Sequence, residues 1–437
     1  MPRLVRLSKM TVAIVLAAAL SGCGNDDGGG DNGPVDPNPP PPTTPPPPVD
    51  PNPPPVDPNP PPPPPPSGDF GLSVAGGGNN VPERFTSDLW VHGTHAYSGT
   101  WGFRGSISGN VVKIWSLGAT GAPALAGGIV INAITTVSDV EVSDDGQVLL
   151  ASAEGDTQAG LYLYSLADPE RPVLLDHEIV STGLHTATFG LIAGRRYVFA
   201  ARNPSNPIQP ALMIYDVTEP ATITVVGTVP VPANYGIHDT FVRDGLAFVF
   251  AWNTGVIVYD VGNGMRGGSP AAPVEVSRLV TSDNGIPGGP AVHNGWWFHN
   301  PVTQEQRYLF IGQEGPAVIG GEASGDIHVV DVSDLTTPRE VAFLHIDGAG
   351  THNFWMDESR QILYAAYYNA GVVAIDVSGT LEGDLAGRVI GRVRPGGVNG
   401  TFTWGVQLSG ESIYASDMIS GLWQLKLEET AAAARSP

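Results

Sequence analysis

The sequence predicts an all-β protein, and three observations carry that prediction. First, no segment between residues 67 and 427 keeps a 3.6-residue apolar period; short β-branched and aromatic runs alternate with Gly, Pro, Asn and Asp. Second, a six-residue apolar signature recurs seven times: VKIWSL at 112, LYLYSL at 161, LMIYDV at 212, VIVYDV at 256, IHVVDV at 327, VVAIDV at 372 and LWQLKL at 422. Third, the copies share a context. Upstream lie a strand, a polar turn and a second strand, as in HDTFV–RDG–LAFVFAWN (238–253). Downstream there is often a proline turn (Asp168-Pro169, Glu219-Pro220, Thr337-Pro338), then a fourth apolar run such as TVVGTV (224–229). A step of about 52 residues per copy suits one four-stranded blade. The expected fold is a seven-bladed β-propeller of four-stranded antiparallel blades, with the signature on the third strand.

Along the chain, the start reads as an export signal. Arg3, Arg6 and Lys9 precede an apolar run, Met10 to Leu20, that is too short to span a bilayer as a helix. Leu20-Ser21-Gly22-Cys23 resembles the lipobox of bacterial lipoprotein precursors, which implies cleavage after residue 22 and acylation of Cys23. The same resemblance implies an envelope protein, and Gly24 points to the outer membrane or cell surface, since Asp there would favour inner-membrane retention. Cys23 is the single cysteine, so an acylated chain has no thiolate metal ligand and no disulfide. Residues 23–33 are a Gly/Asp-rich spacer. Residues 34–66 are dominated by proline, with VDPNPPP at 35, 49 and 56, and read as a polyproline II stalk reaching on the order of 100 Å.

The propeller is expected over 67–427, with a disordered tail at 428–437. The seventh repeat supplies three strands and then stops. DFGLSVAG (69–76) is the candidate for its missing outer strand, closing the ring by pairing the two ends of the domain. That arrangement puts the stalk on one face and the starts of the innermost strands on the other. Asp216, Asp260, Asp331 and Asp376 end third strands and are expected to accept backbone N–H bonds in the following turn.

The third-strand runs resemble LVIVD repeats, the unit of a family of exported bacterial β-propeller lipoproteins. SDLWVHGTHAYSGTWG (87–102) and THNFWMDESRQILYAAYYNAGVVAIDVSG (351–379) are similar to that family, and the resemblance covers essentially all of 69–427. It implies a WD40-like architecture and an exported protein. It implies little about activity.

Candidate site residues gather at the starts of the innermost strands. His185, His238, His293 and His352 occupy that place in four successive blades; Asp88, Asp139 and Trp404 occupy it in the other three. The second strands end at the same face in Trp101, Glu154, Asn203, Asn253, Glu314, Asn369 and Asp417. Two readings stay open. In one, each His or Asp ties the start of its strand to a loop. In the other, imidazoles converge near the axis, where N/O donors suit Zn²⁺ or Cu²⁺, with only two or three of the four able to reach one ion. Trp101, Trp252 and Tyr368 are better placed than other aromatics to stack on a sugar or peptide, with core packing as their default role. His92 and His95 flank a hairpin turn, and Trp296 and Trp297 are expected to fill space between blades.

Formal charge is −22; removing residues 1–22 takes away three basic and no acidic residues and leaves −25. That excess argues against nucleic acid as a partner and against anionic phospholipid on a basic face. No G-x-S-x-G, P-loop or H-E-x-x-H occurs. The sequence therefore predicts a monomeric, lipid-anchored binding module that takes a protein, glycan or small molecule at the His-bearing face. A Zn- or Cu-dependent enzyme, such as an oxidoreductase, is the alternative.

Overall fold

A computed structural model describes residues 69–118, 120–232 and 236–430. The signal segment, Cys23, the spacer, the stalk and residues 431–437 lie outside these. Among the described residues the fold is all-β, with one three-residue 3-10 helix, Ala386–Arg388, and no helix long and apolar enough to cross a membrane.

The strands form seven antiparallel meanders of four, here units 1 to 7. Their first strands are Phe85–His92, Thr136–Val142, Leu184–Ile192, Asp239–Arg243, Val292–Phe298, Phe354–Asp357 and Thr403–Ser409. The seven signatures fall on the third strands, Val111–Leu117, Gly160–Ser165, Ala211–Asp216, Val256–Asp260, Ile327–Asp331, Val372–Asp376 and Gly421–Thr430. A third strand has neighbours on both edges and sheets on both faces, which is why its sequence is a continuous apolar run rather than an alternation. Units 1 and 2 join into one eight-stranded sheet through the Thr100–Val137 pairing. Unit 5 gains a short parallel fifth strand, Gly383–Asp384, from the loop of unit 6.

The fourth strand of unit 7 comes from the other end of the described chain. Asp69–Gly77 pairs antiparallel with Gly421–Thr430, from Asp69 opposite Thr430 to Gly77 opposite Trp423. The last strand thus runs to Thr430, three residues past the predicted end of the propeller at 427, because residues 69–71 give residues 428–430 a partner. A shared irregularity marks Asp69–Gly77 as a true fourth strand. In units 1 to 6 the register between third and fourth strands slips once near the middle of the signature, leaving one extra residue on the fourth strand. The Asp69–Gly77 pairing carries the same slip, between Val74 and Gly76. In units 2 to 6 the extra residue is Leu175, Val226, Val276, Val341 or Ile390, and each packs into a core cluster. The bulge lets an edge strand turn one apolar side chain inward while its other face stays wet.

The core is divided among the gaps between units. Successive units share apolar clusters, such as Tyr97 and Ile114 of unit 1 with Val140 and Leu149 of unit 2. A further cluster packs Tyr414 and Leu422 of unit 7 against Leu89, Val91, Ala96 and Trp115 of unit 1. The turn aspartates behave as their position predicts. Asp216, Asp331 and Asp376 accept from the backbone N–H two residues on. Asp260 accepts from Gly262, Gly264, Arg266 and Gly268; burial works to raise its pKa, but these donors outweigh it and hold it at about 2.

Candidate functional site

The predicted residues reach one place through a device the sequence does not advertise. In five units the first strand bulges near its start, and the residues thrown out of register are Ser87 and Asp88, Ser138, His185 and Thr186, His293, and Trp404. In units 4 and 6 the ladder begins just after His238 and His352, whose backbone N–H groups donate to Phe250 and Ala366. A bulge re-aims a side chain. Here the rings are brought into a chain, with centroids 4.7 Å apart for His185–His238, 5.4 Å for His238–His293 and 4.1 Å for His293–His352. Trp404 continues it 4.1 Å from His352 and meets Trp101 at 4.8 Å.

The four imidazoles are held differently. His185 Nδ1 lies 2.8 Å from Glu154 Oε1, and Asn203 Nδ2 donates to the other carboxylate oxygen at 2.8 Å. His352 Nδ1 donates to the Trp404 carbonyl at 2.8 Å. Each of these bonds fixes one nitrogen and leaves Nε2 to the site, as outer partners of metal-bound histidines do. His238 and His293 have no such tie: the Nδ1 atom of each is buried without a hydrogen-bond partner. Glu314, at the end of its second strand and 3 % exposed, faces both. Its Oε2 lies 3.6 Å from His293 Nε2 and 4.0 Å from His238 Nδ1, while the Tyr368 hydroxyl donates to Oε1.

Two overlapping sets of potential ligand atoms result, His185/His238/His293 and His293/Glu314/His352, each with its atoms within 4.8 Å of one another. Tetrahedral Zn²⁺ with bonds of ~2.0–2.1 Å needs nitrogens roughly 3.4 Å apart, within the 4.8 Å bound that both sets meet. A cavity of about 10 Å³ is lined by Asp88, Asp139, His185, His293, His352 and Trp404 among others, and not by His238 or Glu314. That is about the room one water requires.

Burial and the neighbouring His185, His293 and His352 hold His238 well below the usual histidine range. Burial and His185 bring His293 to about 3, and burial with His293 lowers His352 strongly. These three are neutral near pH 7, the state a metal requires. Burial also lowers His185, but the charge and hydrogen bond of Glu154, aided by Glu314 and Asp139, outweigh it and raise its pKa. Burial pushes Glu314 up to about 7 against Tyr368 and His185.

Asp88 and Asp139 line the same cavity. Asn353 Nδ2 donates to Asp88 at 2.7 Å and the Ala187 N–H to Asp139 at 2.9 Å. Burial, then the neighbouring Asp139, raises Asp88 well above the usual carboxylate range; burial raises Asp139 too, restrained by Asp88 and by the Ala187 N–H. Tyr368 is fully buried, in keeping with core packing rather than with stacking on a ligand. Trp252 packs on His238 at 4.1 Å instead of standing free. Glu154 and Glu314 are the site residues whose roles the sequence leaves open; their position at second-strand ends, beside the histidines of the next unit or strand, is the one signal it holds.

The chain matches no protein-family model and no curated protein.

Proposed function

We propose that this chain is an exported, lipid-anchored, seven-bladed β-propeller of the LVIVD type, acting as a binding module whose ligand is a divalent transition-metal ion, Zn²⁺ or Cu²⁺. The closed-ring reading is supported by the seven meanders, the inter-unit clusters and the pairing of Asp69–Gly77 with the last strand. The anchor reading rests on Leu20 to Cys23; failure of palmitate labelling, or unaltered processing of Cys23→Ala, would remove it.

The observation that carries the metal reading is the pair of buried, unpartnered Nδ1 atoms on His238 and His293 within a converging set of imidazoles. A histidine that merely tied its strand to a loop would spend its nitrogens on the protein, as His352 does with one of its own. A buried polar atom without a partner costs about 1–3 kcal/mol, which a bound cation removes. The ligand set has nitrogen and carboxylate donors and no thiolate, which suits Zn²⁺ or Cu²⁺ over Cu⁺.

Calorimetric titration of metal-free protein with Zn²⁺ and with Cu²⁺ tests this. One ion per chain is expected, with affinity reduced at least a hundredfold in His238→Ala. Equal affinities in wild type and variant would dismiss the site.

A further inference from the structure

A second feature stands at the opposite end of the first strands and takes no part in the metal site. Trp90, Phe241, Trp296 and Trp355 belong to units 1, 4, 5 and 6 and are each half-buried. Their rings touch in series, with centroids 5.2 Å apart for Phe241–Trp296, 5.4 Å for Trp296–Trp355 and 5.7 Å for Trp90–Trp355. Phe241, Trp296 and Trp355, with Arg243, Glu358 and Leu408, line a cavity of about 550 Å³. Arg243 is fixed at its rim by Glu358, 2.5 Å away, and Trp296 Nε1 donates to the same carboxylate at 3.2 Å. An open cup of aromatic faces with a pinned polar rim is a surface built to be covered.

The topology names a candidate occupant. First strands run from the histidine end to the aromatic end, and third strands run the same way, because each is separated from its first strand by one antiparallel neighbour. The last third strand therefore finishes at Thr430 at the aromatic end, and Asp69 pairs with Thr430. Asp69, where the described chain begins, thus stands at the face that holds the cup. The sequence before it contains VDPNPPP three times, the nearest copy at 56–62, six residues before Asp69. Six residues at ~3.1 Å each reach about 19 Å. The first strand of unit 7, whose Leu408 lines the cavity, lies about 15 Å across the sheet from Asp69–Gly77, so six residues reach the cavity's edge on the unit 7 side. Proline-rich segments dock into aromatic-lined grooves because their backbone is already restricted and their rings lie flat on indoles.

We infer that residues 56–62 seat in the cup formed by Trp90, Phe241, Trp296 and Trp355, so that the stalk leaves from the middle of this face rather than from its rim. The seated segment fixes the direction of the domain on its stalk and turns the histidine end away from the anchor. The inference is independent of the metal reading.

Hydroxyl-radical footprinting of the full chain, read tryptophan by tryptophan, tests it. The comparison is a chain in which residues 34–66 are replaced by Gly and Ser at equal length. Oxidation of Trp296 and Trp355 should rise several-fold in the replaced chain and fall again when VDPNPPP peptide is added. Fully buried Trp115 reports that both chains stay folded. Equal rates at Trp296 and Trp355 in the two chains, or protection conferred only by an added oligosaccharide, would overturn the inference.

Discussion

His293 offers the clearest separation of function from stability at the level of one residue. Its Nδ1 is buried without a partner, so the metal-free fold gains little from the ring's polarity. His293→Leu is therefore expected to leave the melting temperature of metal-free protein unchanged or slightly raised, while abolishing the stabilisation that Zn²⁺ gives wild type. His352→Leu should behave oppositely in the metal-free state, losing about 1 kcal/mol with its bond to the Trp404 carbonyl. Paired thermal melts with and without metal check both. Glu141 supplies a pH test away from the ligands. Burial pushes its carboxyl up to about 8, against bonds from Thr188 and the Phe189 N–H. The folded chain then holds a proton that the unfolded chain has lost above pH ~4.3, so this group's contribution to stability falls as pH rises from there towards 8. Glu141→Gln should melt higher than wild type, by a margin that widens between pH 5 and pH 8. At this scale the sequence was readable where a residue's job is local: the turn aspartates could be assigned from position alone. It was unreadable where the job depends on what another unit brings near, as for Glu314 and Tyr368, which lie 54 residues apart and share a buried hydrogen bond.

Strands were more legible than their irregularities. The seven signatures locate the third strands because doubly covered strands must be apolar throughout. Asp69–Gly77 was identifiable as the partner of the last strand because an outer strand was missing there. The bulges were not identifiable, since a one-residue register slip leaves no compositional trace, yet they aim His185, His293 and Trp404 and turn Leu175 and Val226 inward. One element-level signal was readable and carried weight: a glycine leads into several third strands. Gly371 has φ +83°, and an added Cβ would lie 1.9 Å from the Val393 carbonyl oxygen; Gly255, at φ +89°, would meet the Leu279 oxygen at 2.1 Å. Only glycine lets the fourth strand's end approach so closely. Gly371→Ala is expected to cost about 2 kcal/mol or more, through left-handed strain and displacement of Val393. Urea unfolding should register that as a lower midpoint with an unchanged slope.

For the molecule as a whole, repeat number and spacing were set out in the chain, while the meeting point of the histidines was not. Imidazoles from units 3, 4, 5 and 6 converge only because consecutive units pack face to face with their first strands innermost, and 108 residues separate His185 from His293. The two ends of the first strands divide the work: imidazoles and carboxyls at one, an aromatic cup at the other, where the N-terminal segment joins. Anomalous diffraction from crystals grown with Zn²⁺, recorded on both sides of the zinc edge, addresses the central claim most directly. The account predicts one strong peak about 2.0–2.1 Å from ring nitrogens of His185, His238 and His293. Anomalous signal confined to surface histidines such as His92 or His345, with none among those three, would contradict it.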